Sequence, residues 1–214
     1  MIPSKARLWA EFITLFAGAP LLLTATFGMY PLLPVVCLFG LGAAGLLHIT
    51  PGWSWSMLRR GPVWGEWRLL LAYSFLMVAV SLGFVFALVP DHFLSIPIHR
   101  PTLWITILVF YPLVSAFPQE IIYRSLFFER YGVLFPNNTV AILANGLVFG
   151  FGHLFFDHWL TIGMTGIGGA IFGWAYLRNR SVGLPWVMHG LAGQIIFTVG
   201  LGVFFYHGAV GATP

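Results

Sequence analysis

The sequence predicts an all-α fold, a polytopic transmembrane helix bundle of about 7 (6–8) spans. Three observations carry that expectation. Hydrophobic residues make up 59% and charged residues 7% of the 214 residues, where an ordinary soluble domain has roughly 25% charged. Mean hydropathy is +0.90. The apolar residues also come in runs of about 20, the helix length that crosses a hydrocarbon core ~30 Å thick. The chain 1–214 therefore reads as a single membrane domain, with no sizeable soluble one.

The expected spans follow in order. Leu8–Met29 comes after Lys5 and Arg7 and is too long for a signal-peptide core, so a retained anchor is expected. Pro31–His48 follows closely, and prolines in both runs soften their boundary. Arg68–Val89 is an uninterrupted apolar run. Thr102–Arg130 is too long for a simple span: it makes either one tilted helix of about 43 Å or two pieces broken near Pro112 or Pro118. Thr139–Phe156, Trp159–Leu177 and Leu184–Tyr206 complete the set. Gly146 with Gly150, and Gly169 with Gly173, place small residues four apart on neighbouring spans, which lets backbones approach. No internal repeat is visible, which argues against a transporter built from inverted repeats.

Charge placement orients the bundle. With seven crossings and the N-terminus in the cytoplasm, Lys5, Arg7, Arg59, Arg60, Arg68, Arg124, Arg130, Arg178 and Arg180 fall on or toward the cytoplasmic side, and only Arg100 falls outside. The net charge of +4 thus follows the positive-inside rule and implies a bilayer, with no nucleic-acid partner. Trp53, Trp55, Trp64 and Trp67 between the second and third spans read as an interfacial belt. Cys37 stands alone, which excludes an intrachain disulfide framework and a cysteine-based metal site. Asp91, His92 and His99 lie in a polar outer segment and read as surface or part of a gate.

One stretch breaks the apolar pattern. Gln119, Glu120, Arg124, Glu129 and Arg130 crowd into twelve residues, although a charge at membrane depth costs roughly 2.5–3.5 kcal/mol even on a mild insertion scale. Glu120 and Arg124, four apart, share a helix face and can neutralise each other. Gln119 sits about 100° round from Glu120. Asn145, Phe149 and His153 recur every fourth residue on the fifth span, continued by Asp157; His189, Gly193 and Gln194 do likewise on the last. Counted from the cytoplasmic ends at ~1.5 Å per residue, Glu120, His153 and His189 lie about 15, 21 and 12 Å deep, so the three can converge. Blander roles compete. A lone transmembrane histidine often serves as interhelical hydrogen-bond glue, Glu120 with Arg124 can be a structural ion pair, and Arg130 with Glu129 reads as a snorkelling anchor at the cytoplasmic rim.

Three stretches together resemble a known family: Gln119-Glu120-Ile-Ile-Tyr-Arg124, Phe149-Gly-Phe-Gly-His153 and His189-Gly-Leu-Ala-Gly193. They are similar to the Glu-Glu-xxx-Arg, Phe-xxx-His and His-xxx-Asn motifs of the CPBP family, the intramembrane endopeptidases related to CAAX prenyl proteases and bacteriocin-processing (Abi) proteins. The likeness covers residues 102–206; residues 1–101 are less characteristic. It implies an integral protein of a prokaryotic inner or plasma membrane. It also implies a glutamic-type peptide hydrolysis in which a motif glutamate and the first histidine activate water and the second histidine and the asparagine hold the oxyanion. The implied substrate is a membrane-associated peptide or protein, and no cofactor is implied.

The implied site residues are Glu120, His153, His189 and Gln119, supported by Arg124, Phe149, Asn145, Gly193 and Gln194. Two departures matter. Gln119 stands where the family has its first glutamate, and an amide does not take a proton from water at neutral pH. Either Glu120 acts as the base, or Gln119 orients a water that another group deprotonates, or the chain is a pseudoprotease scaffold that binds without cutting. Gly193 replaces the asparagine, and Gln194 or Asn145 is left to supply the amide. A metal-dependent hydrolase with Glu120, His153 and His189 as ligands is a further alternative, although no His-Glu-x-x-His pair is present. A small transporter using Glu120 as proton carrier is the last.

Overall fold

A computed structural model describes residues 3–26, 28, 31–59, 61 and 63–205. The expected span ends at Met29 and Tyr206, and Arg60, lie outside them. Among the described residues seven apolar helices form the bundle: α1 Lys5–Ala25, α2 Leu32–His48, α3 Trp67–Leu88, α4 Pro101–Leu134, α5 Asn138–Phe156, α6 Trp159–Asn179 and α7 Gly183–Val199. Five of the helical runs are long and apolar enough to cross a membrane, and α2 and α7 are shorter apolar helices. Among the described residues there is no strand. A helix satisfies its backbone polar groups within one segment, which is what a solvent without hydrogen-bonding partners demands.

Local chemistry sets the helix ends. The Ser4 hydroxyl accepts from the Arg7 N–H at the start of α1 (3.3 Å), and the Asn137 side chain accepts from the Val140 N–H at the start of α5 (3.0 Å). Pro101 opens α4, where its missing N–H costs nothing. Gly200 ends α7 at φ +118°, and a Cβ there would strike the His92 carbonyl, so only glycine fits both the backbone and the contact with the outer segment.

The fourth helix resolves the alternative left open at Pro112 and Pro118. It is continuous from Pro101 to Leu134. Instead of breaking, its ladder widens to π-helical hydrogen bonding over Tyr111–Ala116 and again over Ile121–Tyr131. A wider turn absorbs a missing donor without ending the helix, and such segments recur at functional sites.

Glycine contacts hold α5 against α6. A Cβ on Gly146 would lie 2.7 Å from the Gly166 carbonyl oxygen, and one on Gly169 would lie 2.7 Å from Phe149 Cβ. The two small-residue faces expected from sequence therefore meet each other. On the other side, Gly40 of α2 packs on Pro118 of α4.

Arg130 corrects one expectation. It is 4% exposed and does not snorkel. Its Nε and Nη2 donate to Glu11 of α1 (2.8 and 3.1 Å), and its Nη1 donates to Thr50 Oγ1 after α2 (3.0 Å). Burial within hydrogen-bond reach of two neighbouring segments makes it a tie between α1, α2 and α4. Glu129 likewise has partners, accepting from Tyr176 O–H (2.9 Å) and lying 3.4 Å from Arg180. Phe12, Phe16, Phe127 and Tyr131 pack as an aromatic cluster around this tie.

Candidate functional site

A cavity of about 1160 Å³ opens among the helices. Its walls are mostly apolar, with Leu76, Met77, Val80, Phe110 and Phe156 among them, and its polar floor carries Tyr111, Ser115, Gln119, His153 and His189.

Glu120 lies behind that floor. It is 0% exposed, so it does not face the cavity. Its Oε1 is 2.8 Å from Nδ1 of His189, and its Oε2 is 3.0 Å from Nε of Arg124. Arg124 is also 0% exposed, with its guanidinium carbon 4.5 Å from the Phe149 ring centre and 5.2 Å from that of Phe172. The Arg124–Glu120 approach is an ion pair by distance but is not aligned as a hydrogen bond, and no Arg124 side-chain nitrogen makes one among the described residues. Coulomb attraction at low dielectric needs no linear geometry, and the two ring faces supply further negative potential.

His189 joins the buried pair to the cavity. A carboxylate only accepts, so Nδ1 of His189 donates to Glu120, while Nε2 is 3.1 Å from the Tyr111 hydroxyl. The imidazole stacks on Phe172 (centres 5.2 Å apart, planes at 19°) and meets the edge of Phe149 at 5.5 Å.

His153 is positioned by the end of its own helix. The His153 N–H turns to the Gly150 carbonyl, and the Phe149 carbonyl is met by the ring Nδ1 at 2.7 Å instead. A carbonyl only accepts, so Nδ1 carries the hydrogen and the neutral ring keeps its lone pair on Nε2. Phe149 stands between the two histidines, its ring centre 4.7 Å from that of His153 and 5.5 Å from that of His189. Gln119 donates through Nε2 to Ser115 Oγ (3.2 Å), which leaves its carbonyl oxygen as an acceptor at the cavity floor.

The candidate amides point elsewhere. Asn145, 0% exposed, donates to the Tyr123 carbonyl and braces the π-helical part of α4. Gln194 donates to the Leu108 carbonyl at 2.8 Å. At Gly193, a Cβ would run into the Tyr111 ring. The alternative metal set is not assembled either. Glu120 and His189 bond to each other directly, and among the described residues no group of three or more His, Cys, Asp or Glu is arranged to hold a metal ion.

Tyr111, Ser115, Phe172 and Tyr73 belong to the site's surroundings and were not singled out from sequence. A signal existed for two of them: Tyr111, Ser115 and Gln119 recur at four-residue steps. A tyrosine in an apolar helix looks like core or interface, however, and only the neighbouring histidine gives it meaning.

Fold and site together define a helical integral membrane protein with a mostly apolar, histidine-bearing chamber inside the bundle. Residues 101–205 match the family model described as Rce1-like, type II CAAX prenyl endopeptidase Rce1-like, so this motif-bearing part of the chain is similar to that CAAX protease family. Neither a curated protein nor a solved structure matches the chain.

Proposed function

We propose that the chain is an intramembrane endopeptidase that hydrolyses a peptide bond in a membrane-associated peptide or protein, with His153 as general base and Gln119 as the residue that orients the water. The observation that carries the reading is the division of labour around the cavity. Gln119 and His153 line it, while Glu120 is fully buried with both oxygens turned to His189 and Arg124. Glu120 then polarises His189 and does not touch water.

The chemistry balances with these groups. A water donates one hydrogen bond to the Gln119 carbonyl oxygen, an orienting role that a glutamine fills in other hydrolases. Its second proton passes to Nε2 of His153 as its oxygen attacks the scissile carbonyl carbon. The tetrahedral intermediate collapses when the same proton moves to the leaving amine nitrogen. A base so placed contributes about 10²–10⁴-fold. The apolar walls exclude bulk water and leave room for a lipid-anchored or hydrophobic segment.

The arginine-rich ends support an N-terminus in the cytoplasm, and the expected site of action is a prokaryotic inner or plasma membrane. The test is cleavage of a library of membrane-anchored peptides in proteoliposomes, with and without chelator, by wild type, His153→Ala, Gln119→Ala and Gln119→Glu. Cutting by wild type that persists in chelator and disappears in His153→Ala is the expected result. One observation favours a second reading: no carboxylate faces the cavity at positions 119–120. A silent wild type with activity gained in Gln119→Glu would make the chain a pseudoprotease whose scaffold is intact.

A further inference from the structure

We infer that Tyr111 is a catalytic residue of this site, its phenolic O–H donating to the oxyanion of the tetrahedral intermediate. The inference rests on the endopeptidase reading and adds to it a residue that none of the recognised motifs contains.

The geometry forms a line of polar contacts that ends at the cavity. Arg124 faces Glu120 at 3.0 Å, Glu120 accepts from His189 Nδ1 at 2.8 Å, and His189 Nε2 meets the Tyr111 hydroxyl at 3.1 Å. Exposure rises along the line, from 0% at Arg124 and Glu120 to 6% at His189, and Tyr111 lines the cavity wall. Arg124 balances the Glu120 carboxylate, so the buried pair orients His189, and through it the phenol, without adding net charge beside the cavity. The hydroxyl hydrogen is a rotor. It turns from the histidine nitrogen to a carbonyl oxygen in the cavity when charge develops there, and a donor aimed at developing charge in a water-poor site is the strongest use of a single hydrogen bond in catalysis.

The packing around Tyr111 is built for this placement. Its ring lies on α7 at Gly193, where any Cβ would fall inside van der Waals contact with the ring. A side chain at 193 and the Tyr111 ring therefore exclude each other. The two other amides near the site are committed to the backbone carbonyls of Tyr123 and Leu108 and do not line the cavity. The Trp186 indole N–H donates to the Pro112 carbonyl at 2.6 Å and fixes the backbone next to Tyr111, while the Phe197 ring edge (5.7 Å) holds the phenol from the side. The π-helical stretch starts at Tyr111 itself.

The experiment is a comparison in proteoliposomes of wild type, Tyr111→Phe, Tyr111→Ala and the Tyr111→Ala/Gly193→Asn double variant. Two readouts are taken: kcat and KM on a membrane-anchored fluorogenic peptide, and binding of a peptidyl phosphinate that mimics the tetrahedral oxyanion, set against binding of an uncleavable amide isostere. Tyr111→Phe keeps the ring and its packing. It is expected to lower kcat on the order of 10²–10³-fold with little change in KM, and to weaken the phosphinate at least about tenfold with the isostere's affinity unchanged. The double variant is expected to recover part of what Tyr111→Ala loses, because an amide donor enters the vacated space. A Tyr111→Phe protein that cuts like wild type, or that binds the phosphinate as tightly, overturns the assignment while the endopeptidase reading stands. A wild type that neither cuts nor binds the phosphinate, with Gln119→Glu equally inert, overturns both.

Discussion

Oε1 of Glu120 lies 2.8 Å from Nδ1 of His189, and the whole carboxylate is sealed from the cavity that its neighbour Gln119 lines. Two consecutive residues of α4 thus serve different compartments. Glu120 charges the helix interface, and Gln119 meets whatever enters the chamber.

The Glu120–Arg124 pair sets the first prediction. Glu120→Gln leaves a fully buried guanidinium without its counter-charge, and breaking such a pair costs about 3–5 kcal/mol. The variant is expected to unfold at markedly lower temperature in detergent. A Glu120→Gln/Arg124→Met double variant is expected to recover most of that stability while remaining inactive, since His189 then faces a neutral amide instead of a carboxylate. Thermal unfolding followed by intrinsic fluorescence checks both. A double variant no more stable than Glu120→Gln would mean that the pair is not the source of the loss.

His153 separates catalysis from folding. Its ring satisfies one helix-end carbonyl and packs near Phe149, so His153→Ala is expected to cost only about 1–2 kcal/mol for that hydrogen bond and its packing. Cleavage is expected to fall about 10²–10⁴-fold. Turnover per folded molecule in proteoliposomes is the measurement, and a variant that keeps more than a tenth of the rate would remove His153 from the role of base.

Helix packing gives a contrast within one residue type. Gly146→Ala brings a Cβ to 2.7 Å of the Gly166 carbonyl oxygen and is expected to destabilise by about 1–3 kcal/mol. Gly45→Ala on α2 meets nothing within 4 Å and is expected to be neutral or slightly stabilising. Paired melting curves decide it, and equal stabilities would contradict the α5–α6 contact.

The two arginine ties differ by burial. Arg130→Met strips Glu11 and Thr50 of a partner that is nearly inaccessible, and a loss of about 3 kcal/mol is expected. Arg178→Met breaks a contact to Glu66 whose arginine side chain is 48% exposed, and the change is expected to stay below about 1 kcal/mol. Adding salt is expected to erase the second difference and leave the first.

Several features were readable one helix at a time. Run lengths and composition predict the apolar helices, and the four-residue spacings of Glu120 with Arg124 and of Phe149 with His153 correspond to contacts within single helices. The glycine faces of α5 and α6 were equally visible. These follow from local geometry, because residues three or four apart on a helix are neighbours whatever surrounds them.

What only the tertiary structure decided is direction. Whether Gln119 or Glu120 faces the chamber depends on the rotation of α4, and the π-helical widening at Tyr111–Ala116 and Ile121–Tyr131 shifts that rotation in a way no 3.6-residue count anticipates. The turning of Asn145 and Gln194 to backbone carbonyls, and the meeting of Tyr111 with His189 and Gly193, depend on which helix lies opposite. The same holds for Arg130, which reads as a rim charge in sequence and becomes a buried tie once Glu11 and Thr50 arrive from α1 and the end of α2. Sequence spacing determines which side chains share a face; helix tilt and rotation, set by packing against neighbours, determine what that face looks at.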